Sequence, residues 1–382
     1  MSNLIRNLKR LFIGEESHMH IPCHPRFMKF SFPTTLQFTF PTTAQLLDNL
    51  PVMPTNPQIL MTLSFLETIS EGFGADEPTI PFLRCLAEHA PTERGRRNIC
   101  QDILSTQDDN HEITVSRLRS LAERYRTGLI IPMAAQGGRT PSVTEHPSRF
   151  SAEIDASVIG NLIQEAKRDS YTLRGLALRR DNFRSLLSGK IDYKSYELEK
   201  VQLETPNDTT ELTEVAHILP FSLSVGAKDR DTEIHRKAHV WEVISRFAGN
   251  DALIHELDGQ NINRLGNVLT LTATEHNVFG RLKCWLEAID GQPNTYRVAG
   301  RRAIPGAFPL GRIVQFSTRY AGLELPDPRF LEIHAACAKV AHASGMGKYI
   351  DSVLRDLEDL QVLPENGSSD ALMFALNRVS VY

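Results

Sequence analysis

Three stretches decide how this chain reads: Glu214-Val215-Ala216-His217-Ile218-Leu219-Pro220-Phe221, Asn261-Ile262-Asn263-Arg264-Leu265-Gly266-Asn267-Val268-Leu269-Thr270-Leu271, and Thr274-Glu275-His276-Asn277-Val278-Phe279-Gly280. In the first, a histidine ends an apolar strand and a proline turns the chain just after it. In the second, Asn267 leads into a short strand. In the third, His276 falls on the first turn of a helix, with Phe279 three residues on and on the same face. Two strands and a helix bring these side chains onto one small surface.

That surface suits phosphodiester hydrolysis, which needs an activated water, positive charge near the phosphoryl group and stabilisation of the departing oxygen. A neutral imidazole can take the proton from water near pH 7, provided one tautomer is held. A second histidine on a neighbouring helix can ligate a divalent ion. Singly, each piece has an ordinary explanation: a hydrogen-bonded core histidine, or an asparagine serving its own turn. Order, spacing and flanking residues together favour the chemical one.

Outward from these stretches the chain divides by composition. It has 382 residues and a net charge of −4, from 42 Lys and Arg against 46 Asp and Glu. This excludes a protein coated in phosphate-binding charge, so any nucleic-acid surface is local. Five cysteines, none in a CxxC pair, argue against a disulfide framework or a four-cysteine zinc site. Residues 1–56 are proline-rich and expected to be poorly ordered, with a short strand near Leu36-Gln37-Phe38. Their His18, His20, Cys23 and His24 fit no standard zinc spacing.

Residues 57–130 carry apolar residues at helical spacing and predict a small helical domain. The Gly/Pro/Ser-rich residues 131–150 read as a linker. Residues 151–300 hold the three stretches, beginning with a helical stretch over Ser151–Leu178. Next comes a hairpin start at Phe183–Leu187, and Trp241 and Phe247 lie on a helix between the first and second stretches. Residues 301–382 are mostly helical and are expected to pack on the preceding domain. There, Gly345 and Gly347 break a long helix running from Pro328 to Leu360. Lys167, Arg168, Arg174, Arg179, Arg180, Arg184, Lys190 and Lys194 form the most cationic run. It reads equally as a phosphate-facing surface or a solvated helix face. Met1–Phe12 lacks the continuous apolar core of a signal peptide, and no run of eighteen apolar residues occurs. The expectation is an intracellular protein, nuclear or cytoplasmic, without a membrane partner.

Ala216-His217-Ile218 with Pro220-Phe221, Asn263-Arg264-Leu265 with Asn267, and His276 with Phe279 closely resemble the HNH endonuclease domain of many fungal proteins. The likeness extends from Leu178-Arg179-Arg180-Asp181-Asn182-Phe183-Arg184 to the helix around His334, covering about residues 150–365. It implies an α+β fold in which a ββα-metal core with a long helical insert joins an N-terminal helical domain and a helix-rich C-terminal region. It also implies His217 as general base, Asn267 as the residue orienting or bracing it, and His276 as metal ligand. Mg²⁺ is the first-choice cofactor, with Mn²⁺ or Zn²⁺ as alternatives, and DNA is the first-choice substrate. Three positions depart from the family pattern. Ala216 stands where an acidic ligand often precedes the histidine, Gly280 where an aspartate often follows the phenylalanine, and Ser185 where a cysteine is common. These departures support the alternative of a catalytically degenerate module that binds nucleic acid or a protein partner.

Overall fold

Asn56 caps the first described helix by accepting a bond from the Gln58 amide, with Pro57 pre-set at the first helical position. The computed structural model describes residues 56–135, 156–220, 231–302 and 308–359. The expected strand near residue 36, the His18–His24 cluster, most of the 131–150 linker and residues 360–382 lie outside the described residues.

Helices α1 (Pro57–Ile69), α2 (Thr79–His89), α3 (Glu93–Leu104) and α4 (His111–Tyr125) follow the apolar spacing closely. A π-helical turn, Arg126–Ile130, leads into α5 (Ile131–Ala134). Next come α6 (Ala156–Ala166) and α7 (Ser170–Arg180). The helical stretch expected over Ser151–Leu178 is, in its described part, two helices. The break lies at Asp169, whose carboxylate caps α7 by accepting from the Tyr171 and Thr172 amides. An apolar stripe continues across such a break, so periodicity alone does not reveal it.

Asn182 and Phe183 both take positive φ (52° and 58°). They turn the chain into a tight loop in which Ser185 and Lys190 are joined by a backbone hydrogen bond. Strand β1 (Ile191–Asp192), helix α8 (Tyr193–Glu197) and strand β2 (Thr210–Glu211) come next, with β1 and β2 parallel. Strand β3 (Thr213–His217) precedes the helical insert, whose described helices are α9 (Asp231–Ala248) and α10 (Leu253–Leu257). The chain returns as β4 (Val268–Thr272), antiparallel to β3 with Thr213 opposite Thr272 and His217 opposite Val268. Helix α11 (Ala273–Gly280) follows directly. Strands β5 (Cys284–Ala288), β6 (Thr295–Gly300) and β7 (Ile313–Gln315) form an antiparallel sheet in that order. Helices α12 (Pro328–Ala343) and α13 (Gly347–Asp359) close the described chain. Gly345 at the break between them has φ +77°, a backbone that favours glycine.

One apolar core runs through both the N-terminal helices and the strand-bearing region, from Leu66, Leu83 and Ile99 to Phe247, Phe279 and Phe330. The docking of α3 on α9 shows why. A Cβ on Gly95 would lie 2.1 Å from the Phe247 carbonyl oxygen, so only glycine admits this approach. Around it, the Thr92 hydroxyl donates to the Ala248 carbonyl (2.7 Å) and the Asn98 amide to the Arg246 carbonyl (2.9 Å). A smaller apolar cluster, built from α6 and α7 with Val215, Leu265 and Val268, covers the other face of the β3–β4 pair. Among the described residues, no helix is long and apolar enough to cross a membrane.

The cationic run is mostly neither solvated nor phosphate-facing. Arg174 pairs with Asp192, Arg184 with Asp208 and Lys190 with Glu211, and Arg179 is buried. Arg180 is fully buried. Its guanidinium grips Asp181 through two contacts (2.6 and 2.8 Å) and donates to the carbonyls of Leu265 (2.6 Å) and Val268 (2.9 Å). It ties α7 to the start of β4.

Candidate active site

His217 sits at the last position of β3, 7% exposed. Its Nε2 lies 2.9 Å from Asn263 Oδ1. The orientation of that amide is fixed from behind, because Asn263 Nδ2 donates to the Lys167 carbonyl at 3.1 Å. The oxygen therefore faces the imidazole and must accept, so Nε2 carries the proton and Nδ1 the lone pair. Burial pushes the His217 pKa down to about 4; the bond to Asn263 opposes this, and the nearby His276 adds to it. The ring is neutral at pH 7.

Asn267 is fully buried at the foot of β4. Its Oδ1 accepts from the Leu219 amide (2.9 Å), and its Nδ2 donates to the carbonyls of Leu219 and Ile262 (both 3.0 Å). These bonds fix the chain two residues past His217, while the asparagine at the imidazole is Asn263. Asn267→Ala leaves three buried backbone groups unpaired. It is expected to lower the unfolding free energy by about 2–4 kcal/mol, read from the denaturant midpoint.

His276 lies in the first turn of α11, which packs on β3 and β4. Its Nδ1 is 2.8 Å from Glu214 Oε2. Glu214 and Ala216 share one face of β3, so the carboxylate comes from one pleat back along the strand. A ring that gives its Nδ1 proton to a carboxylate presents Nε2 as a ligand, the usual arrangement around metal-bound histidines. Glu275, the neighbour of His276, is engaged elsewhere. It completes a capping box with Thr272 and accepts a close bond from the Ser185 hydroxyl. Among the described residues, no group of three potential metal ligands converges at His276.

Sequence reasoning overlooked Asn263 and Glu214 as site residues. Strand alternation was the available signal for Glu214, since it places residue 214 on the face of residue 216. Asn263, the partner of His217, also lines a cavity of about 260 Å³ together with Lys167, Asn261, Arg264, Glu256 and Glu324. Arg264 is held by Glu324 and Glu256. Lys167 has no carboxylate within ion-pair distance among the described residues.

A second buried histidine supports the site from α12. His334 stacks on Phe279 (centroids 3.7 Å apart, planes 7° apart) and bonds the Phe279 carbonyl at 3.0 Å. Burial lowers its pKa to about 4 as well. Both histidines ionise more readily when unfolded, near pH 6.5, than in the folded protein. Stability is therefore full above about pH 6.5 and is expected to fall as pH drops towards 4, by roughly 3 kcal/mol for each histidine. Denaturant midpoints taken across that range check this; a flat profile would contradict it.

With this geometry in view, residues 195–286 match the family model of the HNH endonucleases. The match spans His217, Asn267 and His276, and the chain thus carries an HNH endonuclease domain. No curated protein and no solved structure matches the chain.

Proposed function

We propose that residues 213–280 form a divalent-metal-dependent nuclease centre of the ββα-metal type, hydrolysing phosphodiester bonds in DNA. One observation carries the reading. Two histidines on adjoining elements are each held by a side chain that sets the tautomer, His217 by Asn263 and His276 by Glu214.

His276 Nε2 would supply one ligand position to a divalent ion, with Glu214 bracing the ring and the remaining positions left to water and phosphate oxygens. When bound, such an ion supplies positive charge at the phosphoryl group and stabilises the leaving oxygen. The protein's own work lies in His217. Its Nδ1 lone pair takes a proton from the attacking water, while Asn263 retains the Nε2 proton and fixes the ring plane. The buried strand end excludes bulk solvent around the imidazole. Lys167, which lines the cavity that Asn263 shares, would contact a backbone phosphate of the substrate.

A second reading is a module that binds nucleic acid without cutting. It is favoured by the single carboxylate found at His276 and by Ala216 and Gly280. A plasmid-nicking assay in Mg²⁺, Mn²⁺ or Zn²⁺ with a chelator control separates the two. Cutting is expected to stop with EDTA and in His276→Ala, and to fall about 10- to 100-fold in Glu214→Gln through weaker metal binding. Cutting that persists in EDTA and in His276→Ala would overturn the metal assignment. Salt-sensitive DNA binding without cutting would establish the second reading.

A further inference from the structure

A second group of metal-type donors lies away from His217, on the C-terminal half of α2. Cys85, Glu88 and His89 stand at i, i+3 and i+4, so one helix face carries all three. Their ligand atoms all lie within 4.8 Å of one another. Cys85 is buried, His89 half-buried and Glu88 exposed, giving the group one covered side and one open to water. Among the described residues, none of the three side chains has a hydrogen bond or an ion pair. Of the nearby cations, Lys339 pairs with Glu287 (3.0 Å) and Arg96 with Glu93 (3.3 Å), while Arg84 lies close enough to act electrostatically on Glu88 and Cys85.

We propose that Cys85, Glu88 and His89 form a second metal site, selective for Zn²⁺ or a similar borderline transition ion and separate from the nuclease centre. Thiolate, imidazole and carboxylate are the donors Zn²⁺ takes in four-coordinate sites, here with water on the open side. Mg²⁺ and Ca²⁺ prefer all-oxygen shells and have no reason to prefer this group. Two anionic donors balance the dication. The group also lies at the end of α2, where the unpaired carbonyls of the last turn favour positive charge. Because α2 packs on α12, an ion there would clasp the end of a helix that supports the Phe279–His334 contact.

The test is a Co²⁺ titration of the full chain carrying His276→Ala, which removes the metal ligand assigned to the nuclease centre. One equivalent of Co²⁺ is expected to produce a thiolate-to-cobalt charge-transfer band, displaced by Zn²⁺ and untouched by excess Mg²⁺. Cys85→Ser should abolish the band, and His89→Asn, at a half-buried position that leaves the core intact, should weaken Co²⁺ binding at least tenfold. Circular dichroism on each variant confirms folding. The proposal is overturned if saturating Co²⁺ gives no thiolate band, or if the band survives in Cys85→Ser or binding is unchanged in His89→Asn. A band in this background stands whether or not the nuclease reading does, since His276 is absent.

Discussion

His217→Ala is expected to lower plasmid nicking by about 10²–10⁴-fold while leaving DNA binding within a few-fold of the wild type. The neutral ring carries its lone pair on Nδ1 because the Asn263 oxygen holds the Nε2 proton, and that oxygen is fixed by the Lys167 carbonyl. Alanine removes the base and leaves the His276–Glu214 pair in place. The loss should therefore appear in kcat rather than in KM. Folding should survive at a cost of about 1–3 kcal/mol, from the lost bond to Asn263 and the vacated buried position. The variant should also resist acid better than the wild type, since it no longer has a buried histidine with a pKa lowered to about 4. A His217→Ala protein that nicks at the wild-type rate would end the assignment of His217 as base.

The largest stability effect is expected at Arg180. Arg180→Ala strands the Asp181 carboxylate in the interior and leaves the Leu265 and Val268 carbonyls without their donor. Removing one member of a buried pair typically costs about 3–5 kcal/mol, against near-neutrality when both members are replaced by apolar groups. Arg180→Ala should thus show a sharply lower denaturant midpoint, and Arg180→Met with Asp181→Leu should recover part of it. Arg180→Lys should recover little, because an ammonium cannot reach the carboxylate and two carbonyls from one planar fork. The loss should carry over to activity, as Arg180 fixes the backbone that leads into β4 and hence the position of Asn267. Equal midpoints for wild type and Arg180→Ala would show that this network contributes nothing to the fold.

The contrast between Arg180 and Lys167 shows what composition conceals. Both belong to one cationic run, and sequence alone left that run open between a phosphate-facing surface and a solvated face. Arg180 turns out fully buried, while Lys167 stays half-buried in the lining of the cavity that Asn263 shares. Which of the two becomes structural depends on what α7 and the turn before it pack against, and no local pattern encodes that. The two asparagines make the same point. Asn267 was read as orienting or bracing the histidine. In the folded chain its side chain binds the Leu219 and Ile262 backbone, and Asn263, four residues earlier, reaches the ring.

What the sequence determined by itself is the order of elements and the type of chemistry. The strand ending at His217, the strand from Val268 and the helix bearing His276 follow from local apolar spacing, turn residues and capping, which act over a few residues. The three stretches in that order also suffice to suggest the HNH endonuclease class. The tertiary structure alone decided which side chains meet. Glu214 finds His276 across 62 positions of sequence, and Asn263 finds His217 across 46. Such pairings depend on the antiparallel register of β3 with β4 and on how the intervening insert returns the chain. Both are set by burial of distant apolar residues in a shared core rather than by the spacing of the polar residues themselves.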